Sequence, residues 1–223
     1  MVCSIINLST KIINYMILLI DCSKGLHLIL GNKKKIIATS FKPRLKKVSE
    51  CLVLEIENLL KSNSKDYKNL TKIIAINGPG SFTGIRTSVT VAKVLGLTLN
   101  IPVCGISLFD LMLMQHKNIK TNSDQKFFIH LNDERFFVQD IYRSGKKSEV
   151  SIMNFKAELL LDSGSFQIVS MDNKVVKSLR TIRNNNQKHN IFIYNDIFFK
   201  SYDILVNLSE KKYIPNPIYV KTF

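Results

Sequence analysis

Short apolar runs alternate along this chain with longer stretches in which apolar residues recur every three or four positions. The runs from Ile17 to Cys22, from Leu26 to Leu30 and from Ile73 to Ile76 have the length and branched content of buried strands. Gly31-Asn32 between apolar runs predicts a hairpin turn, with a strand from Lys35 to Ser40 on its far side. A helix is predicted over Lys47 to Lys61. It is followed by the strand Ile73 to Ile76, a glycine-rich turn, a helix over Thr87 to Asn100 that starts near Ser81 to Gly84, and a strand over Pro102 to Ile106. The spacing of Ser107 to Asp110 suits a capping box, opening a helix to about Lys117. Polar residues from Asn118 to Gln125 read as a link. Beyond it the pattern gives strands at 127–131, 136–142, near 149–153, 166–170 and 191–194, a helix at 155–161 and a weak helix at 200–208, with turns at Ser144-Gly145 and Asn184 to Gln187. Three strands followed by alternating helix and strand indicate an α/β sheet.

Two helical faces carry the next piece of information. In the second helix, Ile85, Val89, Ala92, Gly96 and Leu99 form one stripe, while Val91, Val94 and Thr98 lie on the other side. In the first, Val48, Cys51, Leu52, Val53, Ile56, Leu59 and Leu60 cover about half the circumference, wider than one sheet needs. The small residues Ala92 and Gly96 assign their stripe to the lobe's own core. That leaves Val53, Ile56, Leu60, Val91, Val94 and Thr98 for a partner, with coverage by a second lobe as the alternative.

Composition changes this picture little. The net charge is +15, but of 32 basic residues 26 are Lys and 6 are Arg, beside 20 Asn, the skew of an AT-rich coding sequence. Blocks such as Lys33-Lys34-Lys35 therefore read as solvated surface, and no Arg cluster is interleaved with aromatics. Cys3, Cys22, Cys51 and Cys104 have no paired spacing, which favours a reduced, cytoplasmic chain. The four His are scattered, so no metal-binding pair shares a helix face. Residues 1–15 are too short and too polar to span a membrane, and read as an extension ahead of the core or as an upstream start.

The most specific stretch is Gly78-Pro79-Gly80-Ser81-Phe82-Thr83-Gly84-Ile85-Arg86. A P-loop needs Lys and then Ser or Thr after its last glycine, and Ile85-Arg86 stands there. The dinucleotide pattern fails at Thr83 and lacks an acidic residue after the next strand, which ends in Ser107. Spacing alone leaves two readings open: a turn that docks a helix closely on a sheet, and an anion site.

With the following helix and Ile101-Pro102-Val103-Cys104-Gly105-Ile106-Ser107, this stretch resembles the signature of the bacterial TsaB (YeaZ) family of tRNA threonylcarbamoyladenosine biosynthesis proteins. The resemblance covers residues 16–117, and Ile20-Asp21-Cys22-Ser23 is similar to the family's opening Ile-Asp-Thr-Ser. Pro217-Ile218-Tyr219-Val220-Lys221 resembles its Pro-x-Tyr-Leu-Arg ending. The chain departs from the family at Asn132 to Phe137, where Asp-Ala-Arg and a Glu-Val-Tyr strand are expected, and at Val48-Ser49, where His-Ser is expected.

The resemblance implies an actin-like, ribonuclease H-like (ASKHA) fold with a reduced second lobe. Residues 1–15 would be an extension, 16–117 the first lobe with the glycine turn, and 118–223 the second. It implies a non-catalytic scaffold, needed to form the threonylcarbamoyl group on adenosine 37 of tRNAs reading codons that begin with adenine. Such a scaffold pairs with the catalytic paralogue TsaD and the ATPase TsaE, meets tRNA only through that complex, and forms a homodimer when alone. It binds no cofactor by itself and does not contact membrane; nucleotide binding at the joint interface stays open. Asp21 and Ser23 stand at the superfamily's first phosphate loop, with no matching Asp-Gly loop in the second half. Two other classes remain alongside: an active actin-like ATPase or glycoprotease-type peptidase, and a basic tRNA-binding module.

Overall fold

A computed structural model describes residues 15–43, 45, 47–116, 124–132, 135–154, 165–170 and 190–220. The first half contains β1 (Met16–Asp21), β2 (Leu26–Asn32), β3 (Ile36–Lys42), α1 (Val48–Lys61), β4 (Lys72–Ile76), α2 (Phe82–Leu99), β5 (Val103–Ile106) and α3 (Leu108–His116). The second contains β6 (Gln125–Asn132), β7 (Arg135–Ile141), β8 (Ser151–Asn154), β9 (Ser165–Ser170), β10 (Asn190–Ile193), α4 (Tyr194–Lys200) and α5 (Tyr202–Val206). The first sheet has the order β3-β2-β1-β4-β5, with β1 to β3 antiparallel and β4 and β5 parallel to β1. The second repeats that plan in the order β10-β9-β6-β7-β8.

Strands β1, β2 and β4 are apolar along nearly their whole length because the sheet is covered on both faces. Alternate residues separate cleanly. Leu18, Ile20, Leu28, Leu30, Ile73 and Ala75 pack under α1 and α2 in an outer core. Ile17, Leu19, Ile29, Ile74 and Ile76 join α3, α4, α5 and Phe127, Ile129 and Phe137 of the second sheet in a core shared by both lobes. Tyr15, just ahead of β1, also packs against this shared core.

The chain returns to its first lobe at the end. The Tyr202 hydroxyl donates to the Asn32 carbonyl at 2.9 Å. Buried Lys72 donates to the carbonyls of Val206 (3.1 Å) and Leu208 (2.6 Å) at the end of α5. The following tail bonds along β5, where the Gly105 amide donates to the Tyr213 carbonyl at 2.7 Å. Residues 202–220, which a division at 117/118 puts in the second lobe, thus complete the first.

Several sequence expectations shift. The hairpin turn is not at Gly31-Asn32, which belong to β2, but one step on: Asn32 Oδ1 accepts from the amides of Lys34 (2.8 Å) and Lys35 (3.0 Å). Gly31 is needed inside the strand because the Tyr202 hydroxyl stands 2.0 Å from where its Cβ would be. The weak helix at 200–208 resolves into α4 and α5, and α4 begins at Tyr194. The expected helix at 155–161, the link at 118–123 and the turn at 184–187 lie outside the described residues.

Two outcomes follow from this packing. A Cβ on Gly84 would lie 1.9 Å from the Cys22 carbonyl oxygen, whereas at Gly145 (φ +81) nothing stands within 4 Å. Gly84→Ala is expected to destabilise at or beyond the top of the ~1–3 kcal/mol range for overpacking, and Gly145→Ala by only ~1 kcal/mol of left-handed backbone strain. Urea midpoints of the two variants check the ranking.

His27 is buried between Phe41 and Phe198, each ring centroid 5.0 Å away, and burial pushes its pKa down to about 4. The unfolded chain takes up this proton near 6.5 while the folded chain resists it until about 4. Stability is therefore lost as pH falls through that window. His27→Leu should lose about 2 kcal/mol less than wild type between pH 7 and 4.5 in paired denaturation curves.

Candidate interaction face and the glycine turn beside it

The glycine turn is built against the turn that follows β1. Ser81 is the N-cap of α2: its hydroxyl accepts from the Gly84 amide at 3.3 Å, and its own amide donates to the Ser23 carbonyl at 2.8 Å. A Cβ on Gly80 would stand 2.5 Å from Ser23, and one on Gly84 would strike Cys22. Gly78, with φ +124, follows Asn77 and lies against Ile218 of the tail. The Gly78–Pro79 peptide is cis. The glycines thus serve close packing of helix, strand end and tail.

Asp21 lies buried at the end of β1, and its Oδ1 accepts from the Ser23 amide at 2.8 Å, forming an Asx turn. Beside it Lys24 crosses to the second lobe, where its Nζ donates to the His130 carbonyl. Burial pushes the Lys24 pKa down to about 8 against the opposing pull of the Asp21 carboxylate. A cleft of about 560 Å³ lies between α3, the end of β7 and the tail. Its charged groups are engaged locally, Lys147 with Asp110 and Lys212 over the Tyr213 ring. Among the described residues no group of three or more His, Cys, Asp or Glu is placed to hold a metal, and no helix is long and apolar enough to cross a membrane.

The outward faces of α1 and α2 have a different character. On α2 the stripe Ile85, Val89, Ala92 and Gly96 is buried, and Gly96 lets the helix meet Val103 of β5, whose Cγ2 lies 2.1 Å from where a Cβ would be. Opposite, Val94 is 56% and Leu97 85% exposed. On α1, Val53 and Leu54 are each more than half exposed. The described residues of the second lobe do not cover them, because they pack on the other face of the first sheet.

Of the residues assigned to a partner from the sequence, Val53, Val94 and Thr98 are exposed, and Val91 packs partly into the outer core. Ile56 and Leu60 are corrections. They are 0% and 1% exposed and lie with Leu52 and Leu59 in the lobe's own core, because α1 spans both β2 and the flank of α2 and needs a wide buried arc. Leu54 and Leu97 were missed. Each falls outside the helical stripes chosen from the sequence, and a count of all apolar positions opposite Ala92 and Gly96 would have found Leu97.

A family model for TsaD, tRNA N6-adenosine threonylcarbamoyltransferase, matches residues 42–127, a span that takes in α1, the glycine turn and α2. Among curated relatives, the tRNA threonylcarbamoyladenosine biosynthesis protein TsaB of Bacillus subtilis (strain 168) is 40% identical over 52 residues, 23% of each chain. TsaB of Buchnera aphidicola subsp. Schizaphis graminum is 36% identical over 97 residues, 43% of this chain and 46% of that one. The chain thus matches less than half the length of each. Among solved structures, YeaZ from Pseudomonas aeruginosa aligns over 92% of this chain and 99% of its own at 12% identity, with a TM-score of 0.57. A Bacteroides thetaiotaomicron protein described as having an actin-like ATPase fold aligns over 88% and 97% at 10% identity, with a TM-score of 0.53. Over the matched stretches the chain is thus similar to named TsaB proteins, and it shares an actin-like α/β fold with YeaZ along nearly its whole length.

Proposed function

We propose that this chain is a non-catalytic subunit of a tRNA threonylcarbamoyladenosine-forming machinery, and that it acts by pairing with a TsaD-like paralogue through the outward face of α1 and α2. One observation carries the reading: Val53, Leu54, Val94 and Leu97 stand exposed on a helix layer that the described residues of the second lobe leave uncovered. A second helix pair laid across this layer would bury them as a core cut in half, the usual composition of a lasting interface. The paralogue would supply the transferase chemistry and an ATPase of the TsaE kind would join the pair; tRNA would be met through the assembly.

The same face can be satisfied by a second copy of the chain, since a twofold axis brings one patch onto its equal. The isolated protein is therefore a homodimer in this reading. It has no chemistry to perform alone: Asp21 is held in an Asx turn, and Lys24 spans from the phosphate-loop position to the second lobe. Nucleotide, where it binds, belongs to the joint interface.

Val94→Asp places an unpaired charge at the centre of the proposed contact and should weaken pairing with the paralogue by roughly 100-fold or more while the fold persists. Light scattering and calorimetric titration on the mixed chains, with circular dichroism as the fold control, read this out. A folded variant that pairs like wild type would sink the reading. For the isolated chain the expected result is no ATP turnover above background; turnover lost in Asp21→Ala would instead establish an active ATPase.

A further inference from the structure

The exposed layer continues past its apolar centre to a small cluster at the start of α2. Phe82, 58% exposed, is the first residue of the helix, and its ring centroid lies 5.0 Å from that of Tyr219, itself 52% exposed. Arg86 stands one turn on, its guanidinium carbon 5.2 Å from the Phe82 centroid. Tyr219 is delivered there by the tail, which is pinned by the Ile218 amide donating to the Asn77 carbonyl at 2.8 Å and by Lys93 Nζ donating to Asn216 Oδ1 at 3.3 Å.

Arg86 is exposed and, among the described residues, makes no hydrogen bond or ion pair. An exposed arginine ordinarily loses considerable side-chain entropy when it grips a ligand. Here the Phe82 ring, 5.2 Å from the guanidinium carbon, already restricts the group, and its N–H fork stays available for a planar, two-oxygen acceptor. From Arg86 to Leu97 is eleven residues, three turns of helix, so the cluster lies on the same side of α2 as the most exposed residue of the apolar face.

We propose that Phe82, Arg86 and Tyr219 form the anchor at which the protein covering α2 places a carboxylate, an Asp or Glu side chain gripped by Arg86 beside an apolar group resting on the aromatic pair. This deepens the pairing described above and rests on it. The occupant is a protein acid rather than an RNA phosphate for two reasons. The cluster is continuous with the apolar face, and the Phe82 and Tyr219 rings meet each other at 5.0 Å, tilted by 40°, so no base can insert between them. Tyr, Phe and Arg together, next to an apolar centre, make the composition of an interface hot spot.

The experiment measures pairing of the full chain with the TsaD-like paralogue of the same cell, at low and high salt, for wild type, Arg86→Glu, Arg86→Lys, Phe82→Ala and Val94→Asp, each checked for fold. Arg86→Glu should lose roughly 100-fold in affinity, and Arg86→Lys and Phe82→Ala roughly tenfold each, since the first keeps the charge without the planar fork and the second removes the ring beneath the guanidinium without reversing any charge. The salt dependence seen for wild type should vanish in Arg86→Glu. If Val94→Asp abolishes pairing while Arg86→Glu pairs like wild type, the anchor is overturned and the helix face stands. If neither variant changes pairing, the face itself is wrong. Intact pairing by Arg86→Glu, with weakened binding of unmodified tRNA to the complex, would assign Arg86 to a phosphate and overturn the proposal.

Discussion

A sheet that is apolar on both faces must be covered twice, and nearly everything else in this molecule answers that demand. Six consecutive buried residues in each of β1 and β2 leave no side that water can wet. One cover is local: α1 and α2 follow the strands they lie on, and the glycines of the turn at 78–84 let α2 settle against the end of β1. The other is assembled from far along the chain, from α3, the second sheet and the two helices near the C-terminus.

This division explains where the candidate site lies. The cover made by the second lobe and the returning helices is thick and is tied to the first sheet through polar links, Lys72 to the end of α5, Tyr202 to β2, and Lys24 to β6. The cover made by α1 and α2 is one helix deep, so its outer side faces solvent. A helix layer one element thick ought to be polar outside. Val53, Leu54, Val94 and Leu97 break that rule together, and a docking surface accounts for the breach.

The tail connects the two covers. After α5 it bonds to the edge of β5, passes the glycine turn at Asn77 and Gly78, and ends with Tyr219 against Phe82. A sheet edge that would otherwise offer unpaired amides is thereby closed. The family-like ending Pro217-Ile218-Tyr219 and the glycine motif, 130 or more residues apart in sequence, are thus parts of one surface.

The sequence by itself determined what is local. Strand runs, the first two helices, the Ser81 cap and the Ser107–Asp110 pairing were legible, because periodicity, capping and backbone freedom act over a few residues. So was the assignment of Ala92 and Gly96 to the core, since only small residues allow so close an approach. Tertiary structure alone decided which apolar residues of α1 face inward. Ile56 and Leu60 differ from Val53 and Leu54 not in type but in where β2 and α2 lie, and that is set by packing. It also decided that Gly31 stays in a strand beneath Tyr202, 171 positions away, and that among the described residues Arg86 meets no acid. Contacts of that range leave no periodic trace, because a pattern along the chain records only what neighbours in sequence share.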